Sequence, residues 1–197
     1  MDAGFYDRPV LEVAPDLIGC VLQHAGCAGV IVETEAYHHS EAACHAYVGL
    51  TARTSTLFGP PGIAYVYRSY GIHALVNAVC EPEDVGAAVL IRALEPTAGI
   101  ERMRERRGLE RLRDLCSGPG KLTQALGIGL EHNNGDLVHG PVRITPRAAG
   151  AARPNIVSDR RIGITRAVEL PWRFCAAGSP YLSRGVSRDG GAPLPTS

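Results

Sequence analysis

Eight consecutive residues, Val30-Ile31-Val32-Glu33-Thr34-Glu35-Ala36-Tyr37, constrain this chain more than any other stretch. The β-branched run that opens it reads as a strand. Period-two alternation then puts Val30, Val32, Thr34 and Ala36 on one face and Ile31, Glu33, Glu35 and Tyr37 on the other. A strand that buries small apolar groups on one side and presents Glu-x-Glu-x-Tyr on the other suits a floor for chemistry. The same pattern also describes a half-exposed edge strand whose charged face is solvated, so the rest of the chain has to decide between them.

With 197 residues, the chain fits one folded domain, assigned to 1–183, and residues 184–197, rich in Gly, Pro and Ser, read as a flexible C-terminal tail. No apolar run approaches the ~18 residues that span a bilayer. Asp2 and Asp7 interrupt the first residues where a signal peptide would need an apolar core, which makes the cytoplasm the expected location. Six cysteines are scattered without a Cys-x-x-Cys pair and read as reduced, mostly buried thiols, which disfavours a zinc site. The net charge is zero, but residues 1–50 hold one arginine against seven acidic residues while 51–197 hold 19 basic against 13 acidic. A neutral molecule with that polarity can carry a basic face.

Helical spacing marks Val10 to Cys20, with Pro15 limiting the helix, and Gly19 to Leu22 reads as a strand turning through Ala25 to Gly29 into the Glu35 strand. His38 to His45 is a loop or short helix, and Gly49 to Gly62 a polar surface loop. Ala64 to Val79 reads as a hairpin that puts Tyr65 and Tyr67 on one face and Tyr70 near the tip, beside Arg68 and Gly71. An aromatic at an exposed turn is poorly placed for a core and has the shape of a wedge. Ala87 to Leu94 is a buried strand interrupted by Arg92, which must meet a carboxylate or an anionic ligand. Glu101 to Asp114 carries six arginines and reads as two short helices broken at Gly108, with a solvated charged face favoured over a nucleic-acid patch.

Ser117-Gly118-Pro119-Gly120-Lys121-Leu122 precedes a helical start at Thr123 and reads as an anion loop. It is not a P-loop, because Leu115 and Leu122 stand where Gly and Ser or Thr are required. Val138 to Arg147 is a strand pair or edge, Arg160 to Arg166 a short strand flanked by base, and Trp172 a structural anchor.

In their order, Val-Glu-Thr-Glu-Ala-Tyr, His45, Tyr-Val-Tyr-x-x-Tyr-Gly, Asn77, Arg-Ala-Leu-Glu-Pro from Arg92, Ser-Gly-Pro-Gly-Lys-Leu and Arg-Ile-Gly-Ile from Arg161 resemble the 3-methyladenine (alkyladenine) DNA glycosylase family, over about Phe5 to Ser183. The resemblance implies a mixed α/β (α+β) single domain with a curved, mainly antiparallel sheet, flanking helices and a projecting β-hairpin. It implies a monofunctional hydrolase that flips alkylated or deaminated purines out of duplex DNA and cuts the N-glycosidic bond. Glu35 matches the general base that activates water. Tyr37, His45 and Tyr67 match the walls that grip the extruded base, with His39 the substitute if the loop shifts by a residue. Tyr70 matches the residue that fills the hole in the duplex, Asn77 the gate against guanine, and Arg92 a residue at the pocket rim. Lys121 lies in a motif whose counterpart sits near the DNA backbone. The expected partner is double-stranded DNA containing a damaged purine, with no cofactor, metal or membrane. The expected state is a cytoplasmic monomer associated with the nucleoid through DNA.

The physical requirements agree. A base inside a duplex must be extruded to be reached, and an aromatic wedge offsets the unstacking. Strand cleavage would need a neutral amine, and Lys121, the only lysine, sits where a charged one is favoured. Two alternatives stay open on the residues alone. Glu35, His39, Glu41 and His45 could serve a metal-dependent hydrolase, although without helical His-Glu-x-x-His spacing. A non-catalytic nucleic-acid-binding module would explain Tyr70 and the arginines, but not Glu33 and Glu35 beside a basic partner.

Overall fold

A hairpin opens the sheet. Strand β1 (Val21–His24) turns at Ala25-Gly26 into the long β2 (Cys27–His38), both turn residues having positive φ (48° and 76°), as a two-residue hairpin that follows the strand twist requires. The computed structural model describes residues 1–187 and Ala192–Pro193, so most of the expected tail lies outside the described residues. The remaining strands are β3 (Ala64–Ser69), β4 (His73–Val79), β5 (Ala87–Ala98), β6 (Arg143–Thr145), β7 (Ile156–Asp159), β8 (Arg173–Ala176) and the short β9 (Ala192–Pro193).

These strands form one curled, antiparallel half-barrel in the order β3-β4-β5-β2-β8-β7-β9. Strand β2 is central. One edge pairs with β5 along nearly its whole length; the other forks, taking β1 at Cys27 to Val30 and β8 at Glu33 to Glu35. The solvated edge-strand reading is therefore wrong: Glu33, Thr34 and Glu35 are fully buried. Strict alternation fails as well. The β2–β5 register shifts between Ile31 and Glu33, and this bulge turns Ile31 into the main core with Val32 and Ala36. Glu33 and Glu35 remain on a shared face.

Helices α1 (Ala3–Tyr6), α2 (Val10–Asp16), α3 (Ile100–Arg107), α4 (Leu112–Leu115) and α5 (Pro119–Leu126) pack on the sheet. The α2 face Val10, Val13, Ala14 enters the core with Leu17 and Ile18, and Pro15 sits in the last turn. The Ala14 carbonyl accepts from Thr34 Oγ1 at 2.9 Å, which ties α2 to β2. Gly108, at φ 63°, ends α3, as its place between the two arginine-rich segments suggests. A second, smaller core of Cys44, Ala46, Leu57, Tyr65, Val79 and Ala88 underlies the sheet face that carries Tyr37 and Tyr67.

Three local expectations are corrected. Gly49 to Gly62 is not merely surface loop: it contains a 3₁₀ turn at Ser55–Phe58 and buries Thr54, Thr56 and Leu57. Lys121 lies within α5, which starts at Pro119, proline at a first helical position being favourable. Arg160 to Arg166 is not a strand; β7 ends at Asp159 and the following residues bend across the site. The six cysteines are free and buried, and among the described residues no helix is long and apolar enough to cross a membrane.

Candidate active site

The sheet face that presents Glu33, Glu35 and Tyr37 lies behind a cavity of about 640 Å³, within the range of small-ligand sites. Tyr37, His45, Tyr65, Tyr67, Asn77, Arg92 and Ile162 line it. Glu35 is one layer behind that lining, and its three hydrogen-bond donors belong to it. Tyr37 Oη donates to Oε2 at 2.8 Å, Arg92 Nη1 to Oε2 at 3.2 Å, and the Ile162 N–H to Oε1 at 2.7 Å. A carboxylate offers about four acceptor positions, so one remains on Glu35.

Burial raises the Glu35 pKa more than Arg92, the Ile162 N–H and Tyr37 lower it, and Glu33 adds to the rise. Burial works against the charge on Arg92, yet Glu35 and Glu33 outweigh it and hold its pKa above the usual value. Arg92 does meet carboxylates, and it is 7% exposed. Burial and the neighbouring Glu35 push the Tyr37 hydroxyl far up, so it remains a proton donor.

The walls are aromatic. Tyr65 and Tyr67, side by side on one face of β3, stack with centroids 5.3 Å apart. His45, opening a 3₁₀ turn (His45–Val48), meets Tyr67 edge-on at 4.7 Å and is hydrogen-bonded through Nδ1 to Tyr65 Oη at 3.1 Å. Burial, then Arg53, lowers the His45 pKa and keeps the ring neutral. Asn77 Nδ2 donates to the Tyr65 carbonyl at 3.0 Å, which fixes the amide across the β3–β4 pair. His39 lies outside the lining, its ring 4.2 Å from His38.

Tyr70 is 89% exposed at the β3–β4 turn, held with Gly71 at positive φ (48° and 72°), and Ile72 beside it is also exposed. The hairpin rests on α5: a Cβ on Gly120 would come within 2.8 Å of His73, so only glycine permits this approach. That contact brings Lys121 to the same mouth, where its Nζ is 3.5 Å from Ser117 Oγ. Arg53, Arg68, Arg107 and Arg166 join it, and no acidic residue is among the described lining residues.

Several side chains that hold the site together take no individual role from the sequence, although Arg161 opens the Arg-Ile-Gly-Ile motif named above. Arg161 grips Glu41 with two nitrogens at 2.6 and 2.9 Å and donates to the Ala36 carbonyl at 2.9 Å. Its guanidinium lies over Tyr37 (4.7 Å) and Trp172 (5.3 Å), so the tryptophan does act as an anchor. Arg161 thereby seats both the Tyr37 ring and, one residue on, the N–H that reaches Glu35. Arg173 and Ser183, which bind Glu33, lie about as far from it in sequence as the chain allows. The metal reading fails on geometry. Glu35 is taken by Arg92 and Glu41 by Arg161, and among the described residues no group of three or more His, Cys, Asp or Glu side chains could hold a metal.

A deep aromatic cavity with a basic mouth and a carboxylate behind one wall defines a class, that of enzymes acting on a flat base carried by a polyanion. Comparison with known proteins makes this specific. Residues 4–180 match the family described as methylpurine-DNA glycosylase (MPG). A protein of Rhodopseudomonas palustris strain HaA2 is 58% identical over 91% of this chain and 88% of its own length. One of Bradyrhizobium diazoefficiens is 56% identical over 91% and 88%, and one of Methanoculleus marisnigri 49% identical over 93% and 98%. All three carry 3-methyladenine DNA glycosylase as a provisional name. The chain belongs to the methylpurine-DNA glycosylase family, and so to the DNA glycosylases, enzymes of DNA repair whose partner is DNA.

Proposed function

We propose that this protein removes alkylated or deaminated purines from duplex DNA by hydrolysing the N-glycosidic bond and leaves an abasic site without cutting the strand. The observation that carries this reading is the buried Glu35, with one acceptor position left, behind a cavity walled by Tyr37, His45 and Tyr67. The target nucleotide turns out of the stack at a cost of a few kcal/mol, least for a damaged pair. Tyr70, exposed at its turn, enters the gap from the minor groove and offsets the unstacking. Alkylation leaves the purine electron-poor or cationic, and aromatic faces favour it by roughly 0.5–2 kcal/mol through cation–π attraction.

Glu35 then accepts a proton from water at its remaining position as the water attacks the anomeric carbon, a contribution of ~10²–10⁴ in rate for a general base. The glycosidic electron pair leaves with the base: an alkylated cationic purine departs neutral, and a deaminated one departs as an anion that takes up the proton the attacking water gave up. Arg92 holds the carboxylate, Asn77 disfavours guanine through its exocyclic amine, and Lys121 with the arginines of the mouth contacts phosphate. The enzyme acts as a cytoplasmic monomer on nucleoid DNA.

The test is base release from duplexes bearing 3-methyladenine, 7-methylguanine, hypoxanthine or ethenoadenine. Glu35→Gln should bind lesion-bearing duplex as before and lose base release. Undiminished release by that variant overturns the assignment, and strand scission without heat or alkali overturns the monofunctional part.

A further inference from the structure

Five charged side chains from four strands alternate in sign through the interior. Asp159 Oδ2 on β7 accepts from Arg173 Nη1 on β8 at 3.0 Å, and Arg173 Nε donates to Glu33 Oε1 on β2 at 2.8 Å. Arg92 Nε on β5 donates to the same oxygen at 3.1 Å, and its Nη1 reaches Glu35 Oε2 at 3.2 Å. None of the five side chains is more than 8% exposed. Arg92 lines the cavity, and Glu35, the last of them, lies directly behind that lining as the proposed base.

The segment Ser183 to Ser187, beyond the residues matched by the family, touches every other member. The Ser183 N–H donates to Glu33 Oε2 at 2.6 Å and its hydroxyl to Glu33 Oε1 at 2.7 Å, while Arg92 Nη2 is 3.4 Å from that hydroxyl. The Arg184 carbonyl accepts from Arg173 Nη2. Ser187 donates to Asp159 from its N–H at 2.9 Å and from its hydroxyl at 2.6 Å. Burial works against the charge on Asp159, but the Ser187 donors, with Arg173, hold its pKa below the usual carboxylate value.

We propose that Ser183 and Ser187 are positioning residues for base release: by satisfying Glu33 and Asp159 they keep Arg92 on Glu35. The inference rests on Glu35 being the base. A buried carboxylate deprived of a donor draws harder on the cations that remain, because unpaired charge in the interior is costly. Without the Ser183 hydroxyl, Glu33 claims more of Arg92. Without the Ser187 hydroxyl, Asp159 claims more of Arg173, and Glu33 again turns to Arg92. Either change weakens the cation on Glu35 and leaves burial less opposed there. The other groups that act on or respond to Glu35 stay in place: Glu33 and Tyr37 on its own strand, Tyr67 on β3, Cys175 on β8 and Arg161 in the following bend.

Single-turnover base release from a lesion-bearing duplex, followed against pH, tests this for Ser183→Ala and Ser187→Ala. The acid limb should move to higher pH in both, further for Ser183→Ala, with duplex affinity and the high-pH plateau retained. On that limb the rate should fall by about threefold, the effect of about half a pH unit. Ser183→Thr, which keeps the hydroxyl, should restore the wild-type limb, and Ser187→Ala carries the test alone should Ser183→Ala not fold. Unmoved limbs, or an equal loss at every pH, overturn the proposal. Glu35→Gln in the same assay separates the two readings: if it still releases base, the assignment of Glu35 fails; if it is inactive while the limbs stay put, only the positioning role fails.

Discussion

Glu35 and Tyr37 leave the same face of β2 two residues apart, and the tyrosine hydroxyl donates to the carboxylate at 2.8 Å. One side chain is thus both wall and hydrogen-bond donor. Tyr37→Phe keeps the ring under Arg161 but removes a donor that opposes the rise of the Glu35 pKa. Duplex affinity should hold, while the acid limb of base release moves up by about one pH unit, worth about 1.4 kcal/mol. A variant whose limb stays in place would show that the hydroxyl does not act on the carboxylate.

The pH dependence has a definite sign. As the proposed general base, Glu35 must be deprotonated, and burial holds it above the ordinary carboxylate value. Activity should therefore rise with pH along a limb displaced upward from that of a free glutamate, and fall as pH drops through the raised value. Stability runs the other way for this group: its contribution is fullest below the unfolded pKa and is lost as pH rises through the folded one. Burial, then Arg53, lowers the His45 pKa, so its neutral form is favoured as pH rises, in the same direction as the active form of Glu35. Single-turnover rates across the acid range measure this directly.

The Arg161–Glu41 pair bears on stability as well as on the proposed site. Arg161 is buried, so Glu41→Ala leaves a guanidinium without its carboxylate, a loss of about 3–5 kcal/mol. Denaturant unfolding should show that loss, and adding Arg161→Met should recover part of it. Base release should stay low in the double variant, because Arg161 also seats Tyr37 and the Ile162 N–H.

Tyr70 gives the opposite pattern. With 89% of its surface exposed, truncation to alanine should change stability by no more than about 0.5 kcal/mol. Release of a damaged base from duplex DNA should fall by at least about tenfold, the scale of a lost contribution to unstacking of a few kcal/mol. On a single strand, where less stacking has to be broken, the loss should be smaller. Equal losses on both substrates would remove Tyr70 from the role proposed for it in extrusion.

Much of this site could be read from local pattern. Arg92, placed in an apolar run, had to find anions, and it bridges Glu33 and Glu35. Tyr65 and Tyr67 alternate cleanly because β3 is regular, and Tyr70-Gly71 marks the turn. Pattern failed where backbone geometry or distant chain intervened. The bulge at Val32 has no residue signature, yet it decides where Ile31 points. The hydrophobic and basic residues from Arg160 to Arg166 look like a strand, but Arg161 is held by Glu41 and Ile162 by Glu35, which draws the backbone out of the ladder. Glu33 meets Arg173 and Ser183 from 140 and 150 positions away, a pairing that no periodicity encodes.

The fork in β2 bears on motion. Thr34 and Glu35 are flanked by β5 on one side and β8 on the other, so fraying of the sheet's margins cannot release them. Their amides should exchange with deuterium only when the whole molecule opens, while the Tyr70 turn exchanges freely. The carboxylate proposed as the base is anchored to the least yielding part of the scaffold, and adaptation to DNA falls to the periphery.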